Sequence, residues 1–75
     1  MLDQLKDLIV NYVDVDPDDI SEDSQFIADL GFNSYDFMSF LGDIEDEFEI
    51  EIDEREVINV KTVGEAVKYI EQLQN

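Results

Sequence analysis

Apolar residues recur at three- and four-residue steps in three stretches of this chain, and each stretch reads as an amphipathic helix. The first carries Leu2, Leu5, Leu8, Ile9, Tyr12 and Val13. The second carries Phe37, Phe40, Leu41, Ile44 and Phe48, with Asp36, Asp43, Asp46 and Glu47 turned elsewhere, and should run from Ser34 or Tyr35 to about Glu49. Val63, Ala66, Val67, Ile70 and Leu73 form the third, opened by Thr62-Val63-Gly64-Glu65 in the pattern of a capping box, where residues one and four cap each other's backbone N–H. A shorter helix bearing Val57 and Ile58 is expected before it, with Asp53 and Glu56 in a capping-box-like start.

The connections are of two kinds. Pro17 ends the first pattern and begins a long stretch rich in Asp and Ser, along which Ile20, Phe26, Ile27 and Leu30 are expected to pin the loop against the core. Ile50-Glu51-Ile52 alternates like a strand but has no pairing partner, so it reads as an extended link burying its isoleucines. The elements add up to an all-α fold, a small four-helix bundle of three longer helices and one short third helix. A core of Leu5, Leu8, Ile9, Phe26, Leu41, Ile44, Phe48, Val67 and Ile70 would close it, and with no repeat or dividing linker the chain reads as a single domain, 1–75.

Composition narrows the chemistry. At 75 residues the chain is near the size at which cores become marginal, so it has no room for a large preformed catalytic cleft. Aspartate and glutamate number 21 against 4 lysine plus arginine, for a formal charge of −17, which disfavours nucleic acid and favours basic protein surfaces as partners. With no cysteine and no histidine, the chain lacks disulfides, thiol nucleophiles, Cys/His zinc sites and histidine-dependent serine triads. Neither a signal pattern nor a membrane-spanning apolar run is visible, so the expected setting is the cytoplasm, as a monomer. Asp14, Asp16 and Asp18 alternate as in an EF-hand, but Asp19 and Gln25 stand where that loop needs Gly and a bidentate Glu; diffuse divalent binding that relieves self-repulsion suits these carboxylates better, and no metal site is assigned.

The stretch with the most chemical content is Asp29-Leu30-Gly31-Phe32-Asn33-Ser34-Tyr35-Asp36. Gly31 suits the positive φ of a tight turn, and either Asn33 or Ser34 suits a helix cap. On a wheel of 100° per residue, Ser34 falls at the edge of the apolar face with Met38 and Glu45, and Tyr35, Ser39, Gly42 and Asp46 lie just beyond. A hydroxyl there is accessible at a helix start. By itself it reads as a cap and nothing more. Tyr35 and Met38 would supply the apolar part of a docking patch and Glu45 and Asp46 the acidic part, though each acid taken singly reads as a solvated helix face; the small Gly42 either lets a partner come close or is simply tolerated at the surface.

Taken with Ile44-Glu45-Asp46-Glu47-Phe48, Ile50-Glu51-Ile52, upstream Ser24-Gln25-Phe26-Ile27 and downstream Lys61-Thr62-Val63 and Tyr69-Ile70, this stretch closely resembles the phosphopantetheine attachment region of acyl carrier proteins. The family's usual core is D-L-G-x-D-S-L-D ahead of an acidic helix ending E-E-x-F. Asn33 replaces the usual Asp and Tyr35 the usual Leu, while Asp36 keeps the next acidic position.

The resemblance implies a carrier and not an enzyme. A phosphopantetheinyl transferase would move 4′-phosphopantetheine from coenzyme A to Ser34, and the arm's thiol would carry acyl groups as thioesters to partner enzymes with basic docking patches. Asn33, Tyr35, Asp36, Met38, Gly42, Glu45 and Asp46 would form the docking surface, and an acyl chain would lodge between helices. Fatty acid biosynthesis is the default pathway. A specialised carrier for polyketide, nonribosomal peptide or D-alanine transfer, and an unmodified interaction module, remain open alternatives.

Overall fold

A computed structural model describes residues 1–74. Its elements are α1 (Leu2–Ile9), a single 3₁₀ turn (Pro17–Asp19), α2 (Ser34–Phe48), α3 (Glu54–Val57) and α4 (Val63–Gln74). These are the four helices expected from periodicity, with the short one third. No strand is found among the described residues, where β pairing is limited to an isolated bridge between Gln25 and Thr62. No helix among them is long and apolar enough to cross a membrane.

The amphipathic faces explain the packing. Leu5 and Ile9 of α1, Phe40, Leu41 and Ile44 of α2, and Val63, Ala66 and Ile70 of α4 are buried together, and α1 packs on both α2 and α4. The long connection is drawn inward by Ile20, Phe26, Leu30 and Phe32, which join the same core. Its backbone is held at α4: Phe26 N–H donates to Lys61 O at 3.0 Å, Val63 N–H to Ser24 O at 2.9 Å and Gly64 N–H to Glu22 O at 2.8 Å. A Cβ at Gly64 would stand 3.0 Å from Glu22 O, so the absent side chain is what permits this approach.

Several expectations need correction. The α-helical part of α1 ends at Ile9, because Asn11 and Tyr12 donate to Leu8 O and Ile9 O in tighter three-residue turns. Leu8, Phe48 and Val67 are half-buried and pack around the core, whose interior positions go instead to Phe32, Phe40, Val57, Val63 and Ala66 beside the correctly placed residues, with Ile20 and Leu30 packed inward as expected of the loop. Ile27 does not pin the loop inward, being 60% exposed. Ile50 and Ile52 are only half-buried.

The two capping expectations divide. Thr62 Oγ1 accepts from Glu65 N–H at 3.1 Å while Glu65 Oε1 accepts from Thr62 N–H at 3.0 Å, a complete reciprocal box. Hydrogen bonds from the backbone N–H groups of Lys61 and Thr62 hold the Glu65 carboxyl below its ordinary range. Asp53 does cap α3, accepting from Arg55 N–H at 2.9 Å, but Glu56 does not return the bond; Asp53 N–H donates to Tyr69 Oη at 3.2 Å instead. Tyr69 thereby ties α3 to α4.

Candidate functional site

The turn before α2 is built from its own side chains. Asp29 Oδ2 accepts from Gln25 N–H at 2.8 Å, while the N–H groups of Asp29 and Leu30 both donate to Gln25 O at 3.0 Å. Gly31 then takes φ +84, the left-handed region that a residue without Cβ enters freely. This reversal lets Leu30 and Phe32 point into the core on either side of it.

Between the two candidate caps, the structure decides for Asn33. Its backbone is extended, at φ −97 and ψ 175, and its Oδ1 accepts from Asp36 N–H at 2.7 Å. Ser34 is therefore the first residue of the helix, exposed, and its Oγ has no hydrogen-bond partner among the described residues. A serine consumed as a cap would have its oxygen turned to the backbone. Here the neighbouring asparagine does that job and leaves the hydroxyl free.

Beneath this turn lies an aromatic cluster. The Phe26 ring sits 5.5 Å from Phe32, 5.2 Å from Phe37 and 5.4 Å from Phe40, and Tyr12 reaches Phe32 at 5.8 Å and Phe40 at 6.0 Å. Edge-on and tilted rings at such spacings add attraction beyond their burial. Rings from the turn that follows α1, the long connection, the turn before α2 and α2 itself thus hold the start of α2 in one place. Tyr12 also donates its hydroxyl to Asp43 Oδ2, and that bond, with burial and the charges of Asp43 and Asp36, pushes the phenol up to about 12.

Beside Ser34 opens an apolar cleft of about 570 Å³, with Ser34 itself, Ile27, Phe37, Met38, Val57 and Ile58 among its lining. Sequence periodicity did not find Ile27 or Ile58 as part of a site. Their large exposure, 60% and 74%, is the structural signal, because both apolar side chains stand at the opening of one cleft.

The remaining candidate residues fall into two groups. Tyr35, at 79% exposed, Met38 and Asp46 face outward, and Asp36 and Gly42 are half-buried. A Cβ added at Gly42 would meet nothing within 4 Å, so internal packing does not require a glycine there. Glu45 is different: it is half-buried and its Oε2 accepts from Ile52 N–H at 3.0 Å, which ties the link after α2 back to the helix. Asn33 likewise has a structural duty as the cap. Among the described residues, no three carboxylates converge to hold a metal ion; Asp16 caps the 3₁₀ turn, accepting from Asp18 N–H at 2.9 Å.

Charge is distributed unevenly along the chain. No lysine or arginine occurs between Lys6 and Arg55, and Asp3, Glu56, Glu65 and Glu71 offset the four bases outside that stretch. The formal charge of −17 therefore resides wholly in the segment that contains the turn, Ser34 and α2.

Comparison with known proteins agrees with this geometry. Residues 3–70 match a family model described as the phosphopantetheine attachment site. The chain is 37% identical over 73 residues to the acyl carrier protein of Sulfurovum sp. (strain NBC37-1), covering 97% of each. The solved structure of the acyl carrier protein from Enterococcus faecalis superposes with a TM-score of 0.83 at 32% identity, over 96% of this chain and 91% of that one.

Proposed function

The chain belongs to the acyl carrier protein family, whose members carry a covalently attached 4′-phosphopantetheine, and from this we propose that Ser34 Oγ is the attachment point and residues 1–75 one carrier domain. The observation that carries the assignment is the division of labour at the start of α2: Asn33 takes the capping bond and Ser34, adjacent to it, has an exposed and uncommitted hydroxyl at the edge of an apolar cleft. When bound, the arm supplies a terminal thiol that holds an acyl group as a thioester.

The chain's own contribution is placement. Gly31 and Asp29 fix the turn, Asn33 fixes the first helical residue, and the aromatic cluster fixes the helix beneath it. No base touches Ser34 Oγ among the described residues, and the chain has no histidine. Removal of the serine proton is therefore the transferase's task, and the carrier presents a nucleophile without activating it. In this reading the chain is a carrier and not an enzyme: chemistry is carried out in the partner's site and the tether supplies a high local concentration of cargo.

The acidic segment around α2 suits partners with basic docking patches, the phosphopantetheinyl transferase first and acyl-processing enzymes after it. Tyr35, Asp36, Met38, Gly42 and Asp46 form the docking surface of this proposal, with Asn33 and Glu45 contributing charge or polarity from positions that also hold the fold. Fatty acid biosynthesis in the cytoplasm, with the carrier acting as a monomer, is the setting we assign.

Intact mass before and after incubation with coenzyme A, magnesium and a permissive transferase tests the assignment. A gain of one phosphopantetheine arm in the native protein and none in Ser34→Ala is expected. A gain that persists in Ser34→Ala, or none with several transferases, overturns it in favour of another site or of an unmodified interaction module.

A further inference from the structure

Ser34 lies in the stretch without bases that runs from Lys6 to Arg55, yet the fold returns one base to it: Lys61 lines the same cleft as Ser34. The backbone brings it there. Phe26 N–H donates to Lys61 O at 3.0 Å and Phe32 N–H to Phe26 O at 2.9 Å, so Lys61, Phe26 and Phe32 lie in adjoining lines of chain, with Ser34 two residues further on.

The other three bases are elsewhere or committed. Lys6 lies on α1 and Lys68 on α4, and neither lines the cleft, while Arg55 holds Asp53 through Nε at 3.3 Å and Nη2 at 3.2 Å. Lys61 is exposed, and its ammonium forms no ion pair among the described residues. Two carboxylates share its surroundings without claiming it. Glu65 Oε1 accepts from the Lys61 backbone N–H at 3.2 Å, and Glu54 lines the cleft, but neither pairs with the ammonium.

We propose that Lys61 is a positioning residue for the phosphodiester at Ser34, its ammonium pairing with a phosphate oxygen and laying the first part of the arm along the cleft. The proposal rests on Ser34 as the attachment point and adds to it a cation that holds what is attached. Loading replaces a neutral hydroxyl by an anion, in a segment that already bears the whole formal charge of −17. Unopposed, that anion is repelled from the surface and the arm swings outward. The Lys61 ammonium, a compact charge on a flexible four-carbon stem, is the one cation in the lining of the cleft that opposes this. An exposed pair is weak, so the arm is parked and not locked. A basic partner surface competes for the same phosphate and releases it.

The absence of cysteine makes the test direct, because Ser34→Cys gives a unique point for attaching either an anion or a neutral group. Sulfonatoethyl or hydroxyethyl methanethiosulfonate would be used: the thiolate attacks the sulfenyl sulfur, a mixed disulfide forms, and methanesulfinate leaves with the electron pair. At low salt, the side-chain NMR resonances of Lys61 should differ between the two adducts, while those of Lys6 and Lys68 stay in place. Melting temperature supplies the second readout. With Lys61 present the two adducts should melt close together; in a Lys61→Met background the sulfonate adduct should fall below the hydroxyethyl one by roughly 1–5 °C. Lys61→Arg should restore the match, and high salt should abolish the gap. Each background is its own reference, so a structural loss at position 61 moves both adducts alike. The same sulfonate penalty with and without Lys61, or equal movement of all three lysines, overturns the proposal.

This readout needs no transferase. A protein that resists phosphopantetheinylation yet shows the Lys61-dependent gap overturns the carrier assignment alone. A loaded protein whose ³¹P resonance is indifferent to Lys61→Met overturns the role of Lys61 alone.

Discussion

Tyr12 and Asp43, 31 residues apart, are joined by a hydrogen bond from the phenol to the carboxylate, which anchors the turn that follows α1 to the middle of α2. The bond requires the phenol to keep its proton. Its ionisation is raised from 10.0 to about 12 in the folded protein, first by the bond to Asp43, then by burial and the nearby carboxylates. A folded pKa above the unfolded one means that this contribution is complete below pH 10 and is lost as pH rises from 10 toward 12. The melting temperature should fall across that window by more than in Tyr12→Phe. Parallel alkaline profiles for the two proteins would show that the bond is absent in solution.

Asn33 is predicted to separate structure from recognition. Asn33→Ala removes the cap of α2 and should cost about 1 kcal/mol in chemical denaturation. Asn33→Asp keeps an acceptor for Asp36 N–H and adds negative charge at a helix N-terminus, so its stability should stay within about 0.5 kcal/mol of the native protein. Its loading by a generic transferase should nevertheless improve, since the family's usual residue here is Asp. Equal loading rates would show that Asp36 and the rest of the acidic face suffice.

Two glycines should respond in opposite ways. Gly42→Ala places a methyl in open space within α2 and should stabilise the protein by up to about 1 kcal/mol. If its smallness serves a partner's approach, the same variant will react more slowly with acyl-processing enzymes despite being more stable. Gly64→Ala must push its Cβ against Glu22 O, 3.0 Å away, and should be destabilising. A stability gain at Gly64 would mean that the loop moves aside at little cost.

Salt should raise stability and lower reactivity. The exposed pair Arg55–Asp53, at 3.2 Å, is an isolated ion pair among the described residues and is of little energetic weight, so most carboxylates have only one another for neighbours. Moderate salt or magnesium should therefore raise the melting temperature by screening self-repulsion. Over the same range the rate of loading by a transferase should fall, as the screening length shrinks from about 30 Å at 0.01 M to about 10 Å at 0.1 M. Loading that is indifferent to salt would remove electrostatic steering from the account.

The Glu45 carboxylate shows where reading a helical wheel stops. Its angular position put it on the docking face, yet it accepts from Ile52 N–H, a group seven residues further along the chain that folds back onto the helix. Glu45→Ala should therefore lose stability as well as any docking charge, by about 1–3 kcal/mol for an unsatisfied, partly buried N–H. A variant as stable as the native protein, by denaturant titration, would return Glu45 to a purely surface role.

What the chain order alone determined is what depends on near neighbours. Three- and four-residue apolar spacing placed three helices and a capping residue at Asp53 opened the short fourth, Thr62 with Glu65 closed their capping box, Gly31 took the positive φ, and the run of acids without bases put the charge in the segment that contains Ser34. Those features follow from interactions within a turn or two of helix, or from composition, and need no partner from elsewhere in the chain. Tertiary structure decided the rest. It chose Phe32 and Phe40 over Leu8, Phe48 and Val67 for the interior, left Ile27 and Ile58 beside a cleft, and stood Phe26 and Phe37 between that cleft and the core. It also joined Tyr12 to Asp43 and Tyr69 to Asp53. Periodicity names the side of a helix that seeks cover. Which residues obtain it, and what space is left between them, depends on how segments far apart in the chain fill the same volume at close-packed density.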